Sequence, residues 1–385
     1  MPIFILVFTA LLLSAHGYLA FRVIRDGQLE GARRWAVIAV AVVAFGLLFV
    51  PYGLRGNPAG WAKALSLLGY MTLGVFGAAF FLTVAVDLVW LAGRGLDKLV
   101  PALPKDPERR RFLKSGLNLG ALGTAAGVGL VGFAKARQLA EVQDVQVPID
   151  GLPEELEGFT ILQVSDIHVG PTVNGGQLQA IVDALNAQGA DLVAITGDLV
   201  DGSVADLGPQ VAALADIRAT HGVVFSTGNH EYYSGAAEWC AHLQSALGVR
   251  VLVDEHVVLE HRGRRLVVGG VADLSAAEHL AEHRSDPHAA LEGAPDGVPR
   301  VLLAHQPRSI YDAAIAGWDL VLSGHTHAGQ FFPFTLLIHL AQPFVAGLHK
   351  VERSWLYVNR GTTYWGPPIR LGAAQEITRL VLTRA

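Results

Sequence analysis

Val223-Val224-Phe225-Ser226-Thr227-Gly228-Asn229-His230-Glu231 decides the fold class. Four residues of β-favouring, mostly apolar character end in a glycine, and a cluster of potential ligands follows at once. The same arrangement recurs outward along the chain. Thr160–Val164 leads into Asp166-Ile167-His168, and Leu192–Ile195 into Gly197-Asp198. Val301–Leu303 leads into His305, and Leu320–Leu322 into Gly324-His325-Thr326-His327. Leu266–Val268 reads as a further buried strand. Between the runs, Leu178, Ile181, Val182 and Leu185 repeat at helical spacing, which predicts a helix with one buried face. Strands alternating with helices specify an α/β domain, and in such sheets ligands gather at the carboxyl ends of the strands.

The strand-end residues are two Asp, one Asn and five His. Oxygen donors and imidazoles together suit first-row ions such as Mn, Fe and Zn, whereas a structural zinc site usually brings cysteines. The only cysteine is Cys240, so the fold forms without an internal disulfide. Asp-x-His and His-x-His are expected to project both side chains to one side of an extended segment, because a strand repeats every two residues. Glycines before Asp198, Asn229 and His325 permit tight turns where side chains would crowd a metal.

This ordered set resembles the calcineurin-like metallophosphoesterases over about Val145 to Ala385. The resemblance implies a four-layer αββα sandwich and a centre of two divalent or trivalent metal ions. It implies that Asp166, His168 and His327 hold one ion and that Asn229, His305 and His325 hold the other, with Asp198 bridging. It further implies a hydroxide nucleophile between the ions. His230 would be the catalytic residue that protonates or stabilises the leaving group. Glu231 is expected to orient a ligand histidine, and Asp201 to cap a turn.

The first third reads differently. The whole chain is 51% hydrophobic and 16% charged, against about 25% charged for soluble domains, so a membrane part is expected. A bilayer core takes about 20 apolar residues, and candidate spans lie at Pro2–Phe21, Trp35–Tyr52, Leu67–Leu91 and Leu117–Phe133. The first lacks the basic start and cleavage site of a signal peptide. The domains expected are thus a transmembrane region, 1–137, and a catalytic domain, 145–385. Arg22, Arg25, Arg33 and Arg34 follow the first span. Arg94, Lys98, Lys105, Arg109, Arg110, Arg111 and Lys114 follow the third. The opposite side has only Arg55, Lys63, Lys135 and Arg137. The basic side is expected to be cytoplasmic, placing the catalytic domain outside a bacterial cell membrane. Arg109-Arg110-Arg111-Phe112-Leu113-Lys114 resembles an internal twin-arginine export signal; the alternative is that these arginines only anchor the helix. Asp87, beside Trp90 in the third span, is expected to snorkel to the interface.

A net charge of −5 without a basic cluster in the soluble part argues against a nucleic-acid partner. From Phe331 to Val345 the chain is strongly apolar. On a tethered domain this stretch could rest on the membrane or admit a lipid chain, or it could be core. The tail Asn359-Arg360-Gly361 with Trp365-Gly366-Pro367-Pro368 resembles bacterial membrane-associated phosphoesterases, which implies an envelope or lipid-linked phosphomonoester or pyrophosphate as substrate. The other readings are a phosphodiesterase for soluble nucleotides and an inactive membrane scaffold. Arg360 could hold a phosphate oxygen or pair with a carboxylate.

Overall fold

A computed structural model describes all residues except Met1, Arg55, Gly56, Pro58 and 97–105, so Arg55, Lys98 and Lys105 lie outside the described residues. The chain divides into two units, Met1–Ala134 with Pro367–Ile369, and Lys135–Gly366 with Arg370–Ala385.

The first unit holds helices α1 (Pro2–Gly27), α2 (Gly31–Leu47), α3 (Val50–Gly53), α4 (Gly60–Leu96) and α5 (Pro107–Ala136). Four stretches are long and apolar enough to cross a membrane: Leu6–Gly27, Gly31–Gly53, Gly60–Gly95 and Glu108–Ala136. Helix α5 begins before Arg109-Arg110-Arg111, so the three arginines stand in its first turns. Asp87 is paired with another helix. Its carboxylate accepts from Tyr18 and Arg22, and Arg22 also pairs with Asp26, which accepts from Asn118 Nδ2 at 2.7 Å. A carboxylate inside a span is costly alone, and the nearby guanidinium of α1 offsets that cost. The result ties α1, α4 and α5 together.

The second unit contains two six-stranded sheets. Its strands are β1 (Glu141–Ile149), β2 (Thr160–Val164), β3 (Leu192–Thr196), β4 (Val223–Ser226), β5 (Arg250–Val251), β6 (Glu255–His261), β7 (Arg264–Gly270), β8 (Arg300–Leu303), β9 (Leu320–Ser323), β10 (Gly347–Val351), β11 (Ser354–Val358) and β12 (Glu376–Arg384). One sheet runs β1-β12-β2-β3-β4-β5 and the other β10-β11-β9-β8-β7-β6. In the first, β2, β3, β4 and β5 are parallel; in the second, β7, β8, β9 and β11 are parallel. The ligand-bearing strands of each sheet therefore finish at one edge.

Side-chain alternation separates the layers. Ile161, Leu192, Ala194 and Val224 of one sheet meet Leu266, Val268, Leu303 and Leu322 of the other in a shared core. The intervening Leu162, Val193, Ile195 and Phe225 face helices α6 (Gly175–Gln188), α7 (Val204–Val211) and α9 (Ala236–Leu247). On the far side, Val267, Leu302, Val321 and Leu356 pack on α10 (Ile310–Ala316). Two short helices, α8 (Asn229–Ser234) and α11 (Phe334–Ala341), complete the unit. The order is helix, sheet, sheet, helix, the four layers expected. Helix α6 buries Leu178, Ile181, Val182 and Leu185. It starts with a capping box in which the Asn174 side chain accepts from Gly176 N at 3.0 Å and Gln177 N at 3.2 Å, satisfying donors of the first turn.

Leu266, fully buried in β7 between the sheets, is far along the chain from any proposed ligand. Leu266→Ala is expected to cost about 2–5 kcal/mol through lost burial and the cavity left behind. A thermal melt of the purified full chain should show a clearly lower midpoint.

Candidate metal centre

The centre lies where the loops after β2, β3, β4, β8 and β9 converge. Backbone bonds join the first two loops: Asp166 N donates to Gly197 O at 3.0 Å, and His168 N to Asp198 O at 3.0 Å. The sheets are joined by His325 N, which donates to the Asp166 carboxylate at 3.0 Å. The close approach leaves no room at Gly228, where a Cβ would fall on the Asp198 carboxylate.

The side chains form overlapping groups whose potential ligand atoms lie within 4.8 Å of one another. These are Asp166, His168 and His327; His168, Asp198 and His230; and Asp198, His305 and His325. His168 Nε2 stands 3.1 Å from His327 Nε2, and His327 Nε2 3.3 Å from Asp166 Oδ1. In the third group, His305 Nε2 is 3.1 Å from Asp198 Oδ2 and 3.3 Å from His325 Nδ1. Asn229 Oδ1 adds an oxygen 3.1 Å from His325 Nδ1. All eight residues singled out in the sequence are therefore gathered in one place.

The backbone reaches this arrangement by another route than expected. Asp166, His168, Asp198, His325 and His327 all have φ between 49° and 72°, a left-handed conformation that costs energy for residues other than glycine. Asp-x-His and His-x-His point inward from tight turns, not from strand alternation. Five strained positions at one spot mark a functional centre.

The donor set fits cations. His305 Nδ1 stands 2.8 Å from Thr196 O. A carbonyl only accepts, so Nδ1 holds a proton and Nε2 points inward, where a cation would bind by displacing the proton that the neighbouring carboxylates favour there. Burial opposes charge on His305, but Asp198 and Asp166 outweigh it and raise its pKa well above the usual value. Burial likewise opposes ionisation of Asp198, yet His305, His230 and His168 hold its pKa well below the carboxylate range. For His327, burial first and Arg370 second push the pKa far down, keeping the ring neutral as a ligand must be. Oxygen and imidazole donors converging about a buried carboxylate form a set that suits a metal cation.

Two carboxylates behave differently from the sequence reading. Asp201 does not cap a turn: its Oδ1 lies 2.5 Å from His230 Nδ1 and 3.3 Å from His168 Nδ1. It holds both rings by their outer nitrogens. Glu231 orients backbone and no histidine. It accepts from the N–H groups of Gly228 at 2.7 Å, Leu199 at 2.8 Å, Asp198 at 3.0 Å and Val200 at 3.3 Å. Burial and then Asp198 push its pKa up to about 7.

His230 occupies the rim, with Nε2 4.0 Å from Asp198 Oδ2. Burial lowers its pKa, but Asp198 and Asp201 raise it to about 9, so it carries a proton at neutral pH. The rings of Tyr233 and Trp365 stand 5.3 and 5.4 Å from it, and both are about half exposed.

Arg370, which no motif singles out, is buried and has no carboxylate partner among the described residues. Its guanidinium donates to the carbonyls of His327, Arg360 and Thr363, each at 2.9 Å. Nη2 lies 2.9 Å from His327 Nδ1. Burial pushes the Arg370 pKa down to about 9. Arg360 is half exposed, and its Nε lies 3.6 Å from Glu376 Oε2; it pairs with a carboxylate.

Asp201→Asn at saturating metal is expected to lower kcat by about 10- to 100-fold, as for other groups that brace ligands from behind. Steady-state kinetics would check this, and an unchanged kcat would remove Asp201 from the role of holding His230.

Comparison with known proteins shows the family. The model of the calcineurin-like phosphoesterase family matches residues 159–329, which include every ligand candidate, His230 and Asp201. A "transmembrane protein with metallophosphoesterase domain" from Danio rerio is 34% identical over 99% of this chain and 89% of its own length. A Bos taurus protein of the same name is 38% identical over 83% of this chain and 74% of its own. An uncharacterized metallophosphoesterase of Campylobacter jejuni is 32% identical over 83% of each. The first of these similarities spans the apolar helices as well as the centre. The chain belongs to the calcineurin-like metallophosphoesterase family of phosphoester hydrolases, in a membrane-embedded form.

Proposed function

We propose that the centre binds two metal cations and hydrolyses a phosphomonoester or pyrophosphate bond on a lipid-linked or envelope molecule. The observation that carries the two-cation reading is the position of Asp198, whose Oδ2 lies 3.1 Å from His305 Nε2 and 3.9 Å from His168 Nε2. It belongs to two of the three overlapping groups, one with His168 and His230 and one with His305 and His325. Asp166, His168 and His327 would hold one cation, and Asn229, His305 and His325 the other. The donor mixture suits Mn, Fe or Zn. Two bound cations supply charge that polarises a phosphoryl group and lowers the pKa of water.

The remaining roles fall to the protein. His230, braced at Nδ1 by Asp201, presents a protonated Nε2 to the leaving oxygen. Buried Asp166, Asp198 and His305 keep the donors out of bulk water and in fixed orientation. Arg370 holds His327 from behind by its carbonyl.

Four helices long and apolar enough to cross a membrane and the apolar stretch after His327 support a lipid-linked substrate. A second reading, a soluble nucleotide, is favoured by Tyr233 and Trp365, whose exposed rings could stack on a base. We also place the catalytic unit outside a bacterial cytoplasmic membrane, on the arginine excess of the loops after the first and third spans. The twin-arginine reading of Arg109-Arg110 belongs to the same proposal.

The test is turnover by the full chain in lipid nanodiscs with Mn, Fe or Zn. Chromogenic mono- and diesters would be compared with a lipid pyrophosphate and a nucleotide. His230→Ala is expected to keep its metal while kcat falls by about 10²–10⁴. Asp198→Asn is expected to lose metal as well as activity. Preference for the nucleotide would overturn the lipid reading, and full activity of Asp198→Asn the shared-carboxylate reading. Lysine replacement of Arg109 and Arg110 is expected to stop export of a fused reporter; continued export leaves these arginines as membrane anchors.

A further inference from the structure

Helix α11 follows the His325–His327 loop directly, and none of its side chains is buried. Leu336 is 64% exposed and Leu340 87%, with Phe332 and Phe334 also exposed. No Asp, Glu, Lys or Arg occurs between Leu320 and His349. In water such a concentration of exposed apolar side chains is unfavourable, and it marks an interaction surface. The segment is nevertheless firmly placed. Phe331 and Val345 are buried on either side of it, the Phe331 and Phe334 rings meet at 5.3 Å, and Arg308 Nη2 donates to Ala341 O at 2.7 Å. Gly329, two residues beyond His327, packs against it so closely that a Cβ would stand 2.6 Å from Thr335 Cα.

We propose that α11 is an interfacial helix that sinks its leucine and phenylalanine side chains into the lipid bilayer holding the chain. The bilayer is the occupant because the covalent chain keeps the catalytic unit beside it. Only residues 137–140 separate the end of α5 from the start of β1, a reach of roughly 14 Å when fully extended. Eight residues span about 12 Å as a helix, too short to cross a membrane and suited to lying along its surface. Through Gly329 and Phe331 this contact places the loop bearing His327 at the lipid surface. The proposal goes beyond the assignment of substrate, since it holds whichever phosphoester is cleaved.

The test uses the full chain in lipid nanodiscs, with Cys240→Ala as background and Leu340→Cys carrying a nitrobenzoxadiazole label. Leu336→Cys provides a second site, and Val258→Cys on β6, also exposed, a reference. At 340 and 336 the expected result is blue-shifted emission, quenching by spin-labelled lipid, and weak quenching by aqueous iodide. Emission and iodide quenching equal to those at 258 would overturn the proposal. So would shielding without lipid quenching, which would assign the face to a protein contact such as a second copy. Melting temperatures of the labelled variants establish that each is folded. Because no turnover is read, failure here and failure of the proposed hydrolysis are separate results.

Discussion

Glu231 is the buried group on which the shape of the centre depends. Its two oxygens collect the N–H groups of Asp198, Leu199, Val200 and Gly228, pinning the turn after β3 to the turn after β4. Those donors belong to loops that have left their sheet and have no ladder partner, and burying them unpaired would cost about 1–3 kcal/mol each. With the turns so held, Asp198 stands where histidines from both sheets can reach it. The five left-handed residues become tolerable because surrounding bonds leave them no alternative.

The layers were legible because their cause is local. Apolar runs of four or five residues, each closed by a ligand cluster, can hardly be anything but parallel strands with a site at their ends. Ile161 and Leu162 show why the whole sandwich follows: neighbours in one strand serve different cores, so inner strands such as β2, β3 and β4 are buried on both faces. The gathering of Asp166 through His327 was legible from their order alone. Their backbone was not, since a two-residue spacing suggests a strand while the observed turns are enforced by contacts from other loops. Asp201 and Glu231 were misread for a related reason. Which donor an acid meets depends on segments about 30 residues away. Arg370 lies beyond the motifs and carries no pattern, so its place beneath His327 emerges only from the folded chain.

The membrane unit obeys the same rule with a different solvent. For Asp87 the neighbours in sequence are apolar and aromatic and name no partner. Its partner Arg22 comes from another helix, and together with Asp26 and Asn118 it makes a charged group whose members each compensate another's burial. Such a set acts as a register mark between helices, because sliding one helix by a turn would separate the charges.

The four-residue connection between α5 and β1 changes the dimensionality of the enzyme's encounter with substrate. If the apolar helices span a bilayer as proposed, so short a tether keeps the catalytic unit within a short reach of it. Molecules in that bilayer reach it by lateral diffusion, and their supply is set by density per unit area. Soluble esters reach it by diffusion through the whole volume. The same centre thus has two unrelated concentration scales, and a weak response to a dissolved ester is compatible with saturation by a dilute lipid.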